Sequence, residues 1–393
     1  MLQPGRMRAS FSLPAVAAGL LAGFVGFASS FAVVLQGLVA MGASPAQAAS
    51  GLMALCVAMG LAGIWLSLRH RMPISVAWST PGAALLAASA VPEGGFAVAV
   101  GAFLACGVLL VLAGLWRPLG RAVEAIPAPL ANAMLAGVLF GLCLAPVRAV
   151  METPAMGLAI ALAWALVAQW QRLLAVPAAV VVAVGLILAT APELPGGGGL
   201  MPAAVMVAPA VSWPALVGIS LPLFLVTMAS QNIPGMVVLK VNGYRPKPGP
   251  LFATTGLFSL AAAPFGGHAV NLAAITAALC AGESVHPDPA RRWPAAVVAG
   301  AVYVLFGLVA GAATAFVSAA PPVLIQAVAG LALLPAFGSA LMNGMAPAEG
   351  REAATVTFLV TASGLTVLGI GSAFWGLVAG GALLLLERWG FRR

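Results

Sequence analysis

The feature that most constrains this chain is the length of its uncharged apolar stretches. Residues 10–68 contain no Asp, Glu, Lys or Arg, and only a polar turn at 42–47 interrupts them. An apolar stretch of 18 or more residues is typical of a helix that crosses a lipid bilayer. Charged residues make up 7% of the chain, whereas soluble domains carry about a quarter. The sequence therefore predicts an all-α polytopic membrane protein.

Charges and turn residues divide the chain into about fourteen transmembrane segments. They are expected near 12–41, 47–68, 78–91, 95–116, 125–145, 154–171, 173–190, 213–239, 250–264, 266–281, 294–318, 321–343, 353–370 and 371–388. The third and tenth are too short to cross the hydrocarbon as straight helices, which predicts broken helices there.

Each half of the chain holds seven predicted spans, so the two halves cross the membrane in opposite directions. That arrangement is an inverted repeat. We expect a first repeat at 1–195, an external linker at 196–212 that contains the glycine run 196–199, and a second repeat at 213–393.

The basic residues predict the orientation of the chain. With a cytoplasmic N-terminus, sixteen of the 17 Lys and Arg residues fall on the cytoplasmic side and only Arg148 falls outside. Such an excess is typical of cytoplasmic loops, so both termini are expected in the cytoplasm. The cytoplasmic set is Arg6, Arg8, Arg69, Arg71, Arg117, Arg121, Arg172, Lys240, Arg245, Lys247, Arg291, Arg292, Arg351, Arg388, Arg392 and Arg393.

Several classes of function are disfavoured by the sequence. The net charge of +8 is spread over short loop clusters, which are topology signals rather than a nucleic-acid surface. The four cysteines lie in apolar runs without CxxC spacing, and we expect no metal or cofactor. An enzyme would need a nucleophile, an acid–base pair or a metal cluster, and the sequence gives little support for one. A nucleotide-driven pump would need a Walker A motif, which the sequence lacks.

The two short spans carry the strongest signal for a binding site. The first contains Ser79 and Thr80 before a proline, a pattern typical of a helix start. The second contains Gly266, Gly267 and His268, where absent side chains would let a ligand approach backbone N–H groups. Two facing half-helix N-termini carry partial positive charge, which suits a carboxylate.

Further polar residues interrupt otherwise apolar spans. Gln231 and Asn232 precede a proline in the eighth span, and Gln36 holds a comparable place in the first. These amides either face a cavity or form hydrogen bonds between helices. His268 is the only histidine within a predicted span, so it is either a functional group or a neutral packing residue. Asn271 would share a helical face with His268 and either completes the site or caps a neighbour.

Three stretches resemble one known family, the bacterial benzoate:proton symporters. They are RMPISVAWSTPGAALL at 71–86, LPLFLVTMASQNIPG at 221–235 and APFGGHAVN at 263–271. The family is similar in fold to nucleobase symporters and to sulfate and bicarbonate carriers, and the span layout matches along essentially the whole chain. The resemblance implies a core domain of spans 1–4 and 8–11 and a gate domain of spans 5–7 and 12–14.

The resemblance also implies a function. It implies import of benzoate with a proton into a bacterial cytoplasm, by a carrier in the inner membrane. The substrate would lie between half-helices that begin at Ser79–Thr80 and at Gly266–Gly267–His268, beside Gln231 and Asn232. His268 is then the candidate proton carrier.

The sequence leaves other functions open. Nucleobase carriers of this fold place carboxylates on spans eight and ten, where this chain has amides and a histidine, which disfavours a nucleobase. A carrier of another small anion and, less favoured, a membrane-embedded enzyme stay open, as does the oligomeric state, with a homodimer as one candidate.

Overall fold

The fold was obtained as a computed structural model that describes residues 11–116, 118–120, 127–190 and 201–390. The described part is helical apart from two three-residue strands that pair with each other and one isolated bridge. Some of the predicted features lie outside the described residues. They are the glycine run at 196–199, the repeat boundary at 195 and the membrane side of Arg6, Arg8, Arg117, Arg121, Arg392 and Arg393.

The first half of the chain forms nine helices and one strand in its described part. They are α1 Leu13–Ala28, α2 Phe31–Ala40, α3 Pro45–His70, β1 Val76–Trp78, α4 Thr80–Ala87, α5 Phe96–Leu115, α6 Ala128–Cys143, α7 Ala145–Glu152, α8 Pro154–Trp170 and α9 Ala175–Thr190.

The second half begins with a long helix, α10 Trp213–Val241, which includes π-helical turns at Leu216–Ser220 and Met228–Asn232. The elements after it are α11 Pro248–Ala262, β2 Val270–Leu272, α12 Ile275–Ala281, α13 Trp293–Leu308, α14 Ala310–Ala319, α15 Pro322–Met345, α16 Arg351–Ala362 and α17 Ser372–Gly390.

The described residues include seven helical stretches that are long and apolar enough to cross a membrane, and an eighth if the bent pair α13–α14 is one span. This confirms the polytopic all-α class. Helices also occupy the remaining predicted ranges, including short ones of 8 residues at α4 and 7 residues at α12. The total of fourteen crossings stays a prediction.

Local signals explain several helix starts. At the start of α3, the Ser44 hydroxyl accepts a hydrogen bond from the Gln47 N–H over 3.3 Å. The Gln47 side-chain oxygen accepts one from the Ser44 N–H over 2.8 Å. This reciprocal pair is a capping box, followed by Pro45 at a position where its missing N–H costs nothing.

The helices pack as two groups. We call the first the core group: α13 packs on α3 and α1, α11 packs on α5, and α2 packs on α4. In the second, the gate group, α15 packs on α6 to α9, and α16 and α17 pack on each other and on α6. These groups correspond to the core and gate domains that the resemblance implies.

Glycines allow the closest helix contacts within the core group. A Cβ atom on Gly60 would lie 2.5 Å from the Gly300 carbonyl oxygen, and one on Gly300 would lie 2.6 Å from that of Gly60. Helices α3 and α13 therefore touch backbone to backbone, as small residues permit in membrane interiors.

Candidate substrate site at the paired short helices

The two short helices are joined at their starts by a small antiparallel ribbon. Strands β1 and β2 pair with Ala77 opposite Asn271 at the centre. Two further hydrogen bonds extend the ribbon symmetrically: the Ser79 N–H donates to the Ala269 carbonyl, and the Ala273 N–H donates to the Ser75 carbonyl, both over 3.0 Å. An antiparallel pair has a local two-fold axis, and the predicted inverted repeat would relate the two short helices by an axis of this kind.

The start of α4 is capped by a hydroxyl of the predicted Ser79–Thr80 pair, and the capping residue is Ser79. Ser79 is fully buried, and its hydroxyl accepts a hydrogen bond from the Gly82 N–H over 3.1 Å. The Thr227 hydroxyl on α10 donates to the same Ser79 oxygen over 2.8 Å. Ser79 is therefore the N-cap, while Thr80 is the first helical residue and stays half-buried.

The expectation for the second half-helix is wrong. No helix begins at Gly266: this residue has φ +93°, and its N–H donates to the Ala263 carbonyl over 2.9 Å. The Gly267 N–H donates to the Ala262 carbonyl over 3.0 Å. Both N–H groups are occupied, so they do not form the anion cradle that we expected. The chain continues as strand β2, and the half-helix α12 begins at Ile275.

Asn232 on α10 forms a hydrogen bond that holds strand β2 in place. Its side-chain oxygen accepts a hydrogen bond from the Leu272 N–H over 2.9 Å, and its amide nitrogen contacts the Met228 sulfur at 3.2 Å. The Leu272 N–H would otherwise be buried without a partner. Asn232 is fully buried, so the structure supports the alternative of hydrogen bonding between segments.

Asn271 lies on β2 and does not share a helical face with His268, which corrects that expectation. Its side-chain nitrogen donates to the Leu272 carbonyl over 2.9 Å. Its side-chain oxygen is buried and has no hydrogen-bond partner among the described residues. A pleated strand replaces the helical spacing because β1 supplies the hydrogen bonds of this segment.

His268 is enclosed in the core group, with 0% of its surface exposed. Its Nδ1 accepts a hydrogen bond from the Ala269 N–H over 2.6 Å, and its ring packs edge-on against Phe103. In the described part of the chain, its Nε2 has no hydrogen-bond partner. Since Ala269 pairs with Ser79, the ribbon brings His268 to the start of α4.

Thr80 and Gln231 are the predicted residues that remain half-exposed beside the ribbon. Helix α4 carries Thr80, and the π-helical turn Met228–Asn232 carries Gln231. Both elements contact gate helix α6. The predicted polar residues at the ribbon thus fall into two classes. Most are buried in the ribbon and its surroundings, whereas Thr80 and Gln231 lie on elements that border the gate group.

Gln36 lines a cavity of about 510 Å³ between the core and gate groups, which we call the Gln36 cavity. Its Nε2 atom is enclosed and has no hydrogen-bond partner within the described ranges. The walls are largely apolar, with Gln326 from α15 and Thr314 from α14 as the other polar side chains. Gln326 is not among the residues predicted from the sequence, although it shows the same signal as Gln36, a single amide in an apolar span.

The family of the chain follows from its sequence relatives. A profile of the family described as benzoate membrane transport protein matches residues 9–386. The chain belongs to this family. Two relatives are similar to this chain over nearly their whole length. Inner membrane protein YdcO of Escherichia coli (strain K12) is 41% identical over 369 residues, 94% of each chain. The benzoate membrane transport protein of Acinetobacter baylyi is 32% identical over 376 residues, 95% of each chain.

Two solved structures have a fold similar to that of this chain. The transmembrane domain of the cyanobacterial bicarbonate transporter BicA superposes with a TM-score of 0.62 at 14% identity, covering 93% of this chain and 97% of that one. Murine Slc26a9, an anion transporter in the inward-facing state, gives a TM-score of 0.61 at 12% identity, covering 96% and 68%. At this identity the likeness concerns the fold alone, and it confirms the fold class expected from the sequence.

Proposed function

We propose that the chain imports benzoate or a similar aromatic carboxylate together with a proton, by alternating access across a bacterial inner membrane. Membership of the benzoate transport family supports the substrate. The two relatives, an inner membrane protein and a benzoate membrane transport protein, support the membrane and the substrate.

The observation that carries the substrate proposal is the unpartnered amide of Gln36 in a largely apolar cavity. A buried N–H without a partner costs free energy that a carboxylate acceptor would remove. Leu35, Val39 and Ile325 offer apolar surface for an aromatic ring. A cavity of 510 Å³ lies in the range of small-molecule sites, which are mostly apolar with few polar anchors.

The position of the Gln36 cavity supports alternating access. Its walls come from core helix α2, from α14, which packs on core helix α3, and from gate helices α6 and α15. A relative movement of the two groups would therefore open or close it toward one side of the membrane. In transporters with inverted repeats, such rigid-body movement around a site near the centre of the membrane is the general mechanism.

Proton coupling is proposed for His268. Its free Nε2 lies on a segment that the ribbon joins to the start of α4, next to the half-exposed Thr80. Imidazole is the side chain that exchanges protons near neutral pH. A proton bound together with a carboxylate would cancel the charge that moves with the substrate.

The test is uptake of radiolabelled benzoate into proteoliposomes with and without an inward proton gradient. We expect uptake above protein-free liposomes, stimulated by the gradient and lost in Gln36→Leu, which keeps a comparable size but removes the amide. Competition with bicarbonate, sulfate and uracil defines the substrate class. Absence of benzoate uptake, or stronger competition by one of these compounds than by unlabelled benzoate, contradicts the proposal.

A further inference from the structure

A second cavity, of about 340 Å³, lies beside the Gln36 cavity, and we call it the Arg148 cavity. It is enclosed by the C-terminal end of α4, by α6 and α7, and by the turn between α16 and α17. Its polar lining includes Arg148, Gln326, Thr361 and Ser372. The two cavities share Ala87, Leu142 and Gln326 as walls, so they are direct neighbours.

Arg148 is unusual in its position. It is the one basic residue that the charge pattern assigns to the outer membrane face. Positive charge there opposes the topology signal given by the other sixteen, so topology does not explain the residue. Its side chain is exposed, and within the described part of the chain its guanidinium forms no hydrogen bond or ion pair.

The polar lining around Arg148 favours an anion. Arg148 and Gln326 both line the cavity, and both side chains carry N–H donors. The Ser372 hydroxyl donates to the Thr361 carbonyl over 2.8 Å, which holds the turn between α16 and α17 against the cavity. The Thr361 hydroxyl oxygen is enclosed and packs toward Gly376 on α17, so it does not face the cavity. The unpaired guanidinium is therefore the anion-binding group, because it donates charge-assisted hydrogen bonds to an oxyanion.

We propose that the Arg148 cavity is an outer capture site for the substrate's carboxylate. Arg148 binds the anion by a charge-assisted hydrogen bond, and Gln326, which lines both cavities, offers a second donor beside the Gln36 cavity. This inference rests on the proposed function, since it takes an aromatic carboxylate as substrate. A positive charge in a concave mouth also raises the local concentration of an anionic substrate, in a salt-dependent manner.

The test measures initial benzoate uptake by right-side-out membrane vesicles as a function of benzoate concentration and ionic strength. We compare the wild type with Arg148→Gln, Arg148→Lys and the control Arg172→Gln, since Arg172 is also exposed but lies between α8 and α9. Arg148→Gln should raise KM about tenfold with Vmax within about twofold, and it should lose the salt dependence of KM. Arg148→Lys should keep the salt dependence with an intermediate KM, because lysine keeps the charge but not the planar fork. The control should resemble the wild type.

The outcomes separate the two proposals. A wild-type protein that takes up no benzoate defeats the proposed function itself. Wild-type uptake with an unchanged KM and salt dependence in Arg148→Gln overturns the capture site alone. A lower Vmax at constant KM overturns it too, because the residue would then act in the conformational change. Should Arg148→Gln not fold, as judged by size-exclusion chromatography, the same readouts on Arg148→Lys and on Gln326→Leu decide, with a raised KM expected in both.

Discussion

The Thr227 hydroxyl donates a hydrogen bond to the Ser79 hydroxyl over 2.8 Å and so fastens α10 to the start of the short helix α4. Ser79 in turn accepts from the Gly82 N–H over 3.1 Å, and both hydroxyls are fully buried. The broken helix of the first half and the long helix of the second half are therefore held together by one serine oxygen that accepts two hydrogen bonds.

Ser79→Ala should lower stability by about 1 kcal/mol, the usual cost of a lost N-cap. Thr227→Val keeps the side-chain shape and should also destabilise, since it removes the donor to Ser79. Thermal unfolding in detergent measures both. Thr254→Val is the matched control, because the Thr254 hydroxyl is exposed on α11. If Ser79→Ala and Thr227→Val melt at the same temperature as Thr254→Val, the hydrogen bond between Thr227 and Ser79 does not contribute to stability.

Gln231 and Asn232 are adjacent in sequence but should respond differently to substitution. Asn232→Leu leaves the Leu272 N–H buried and unpaired, at a cost of about 1–3 kcal/mol. It should therefore lower the melting temperature. Gln231→Leu removes a half-exposed amide that borders the gate group. It should reduce benzoate uptake several-fold at an unchanged melting temperature. The prediction fails if the two variants lose stability equally or if Gln231→Leu transports at the wild-type rate.

Gly37 lets α2 lie directly on α4. A Cβ atom on Gly37 would lie 2.5 Å from the Ala83 carbonyl oxygen, and that backbone atom has little freedom to move. Gly37→Ala should therefore push the two helices apart, at about 1–3 kcal/mol, and abolish uptake because Gln36 moves with them. Gly338→Ala serves as control, since nothing lies within 4 Å of its Cβ position. Normal uptake by Gly37→Ala would mean that this contact can relax.

The sequence predicts the fold class, the two broken helices and the helix start at Ser79–Thr80, because apolar length and capping patterns act locally. It does not settle which of the two hydroxyls is the cap, and the structure shows that Ser79 is. The sequence misplaces the start of the second short helix. Glycines followed by a polar residue suggest a helix start, but β1, nearly 200 residues earlier, pairs with this segment and makes it a strand. The cavities escape prediction for the same reason: Gln36 and Gln326 meet only through tertiary packing.

The orientation of the chain can be tested with single cysteines. Met201→Cys lies in the described, exposed part of the predicted external linker, and Ser284→Cys lies in an exposed turn before the Arg291–Arg292 pair. In a Cys143→Ser background, where the remaining cysteines are buried, a membrane-impermeant maleimide should label Met201→Cys in intact cells. Ser284→Cys should react only after permeabilisation. Labelling of Ser284→Cys in intact cells contradicts the predicted topology.

His268 is the proposed carrier of the proton that moves with benzoate. Benzoate entering as an anion works against an inside-negative potential, at about 2.3 kcal/mol per charge for each 100 mV. A proton that moves with it cancels this charge. On our proposal the proton binds the free Nε2 of His268, and a nearby carboxylate stabilises the imidazolium, so substrate and proton bind cooperatively.

His268→Gln keeps a polar side chain but cannot take up the proton. Uptake by this variant should therefore lose most of its stimulation by external acid, while exchange of internal for external benzoate survives, because exchange needs no net proton movement. The measurement is initial uptake against external pH in both proteins, with exchange measured in parallel and thermal unfolding as a check on folding. If His268→Gln keeps the wild-type pH profile, His268 is a packing residue, and the proton enters on the substrate as benzoic acid or through another group.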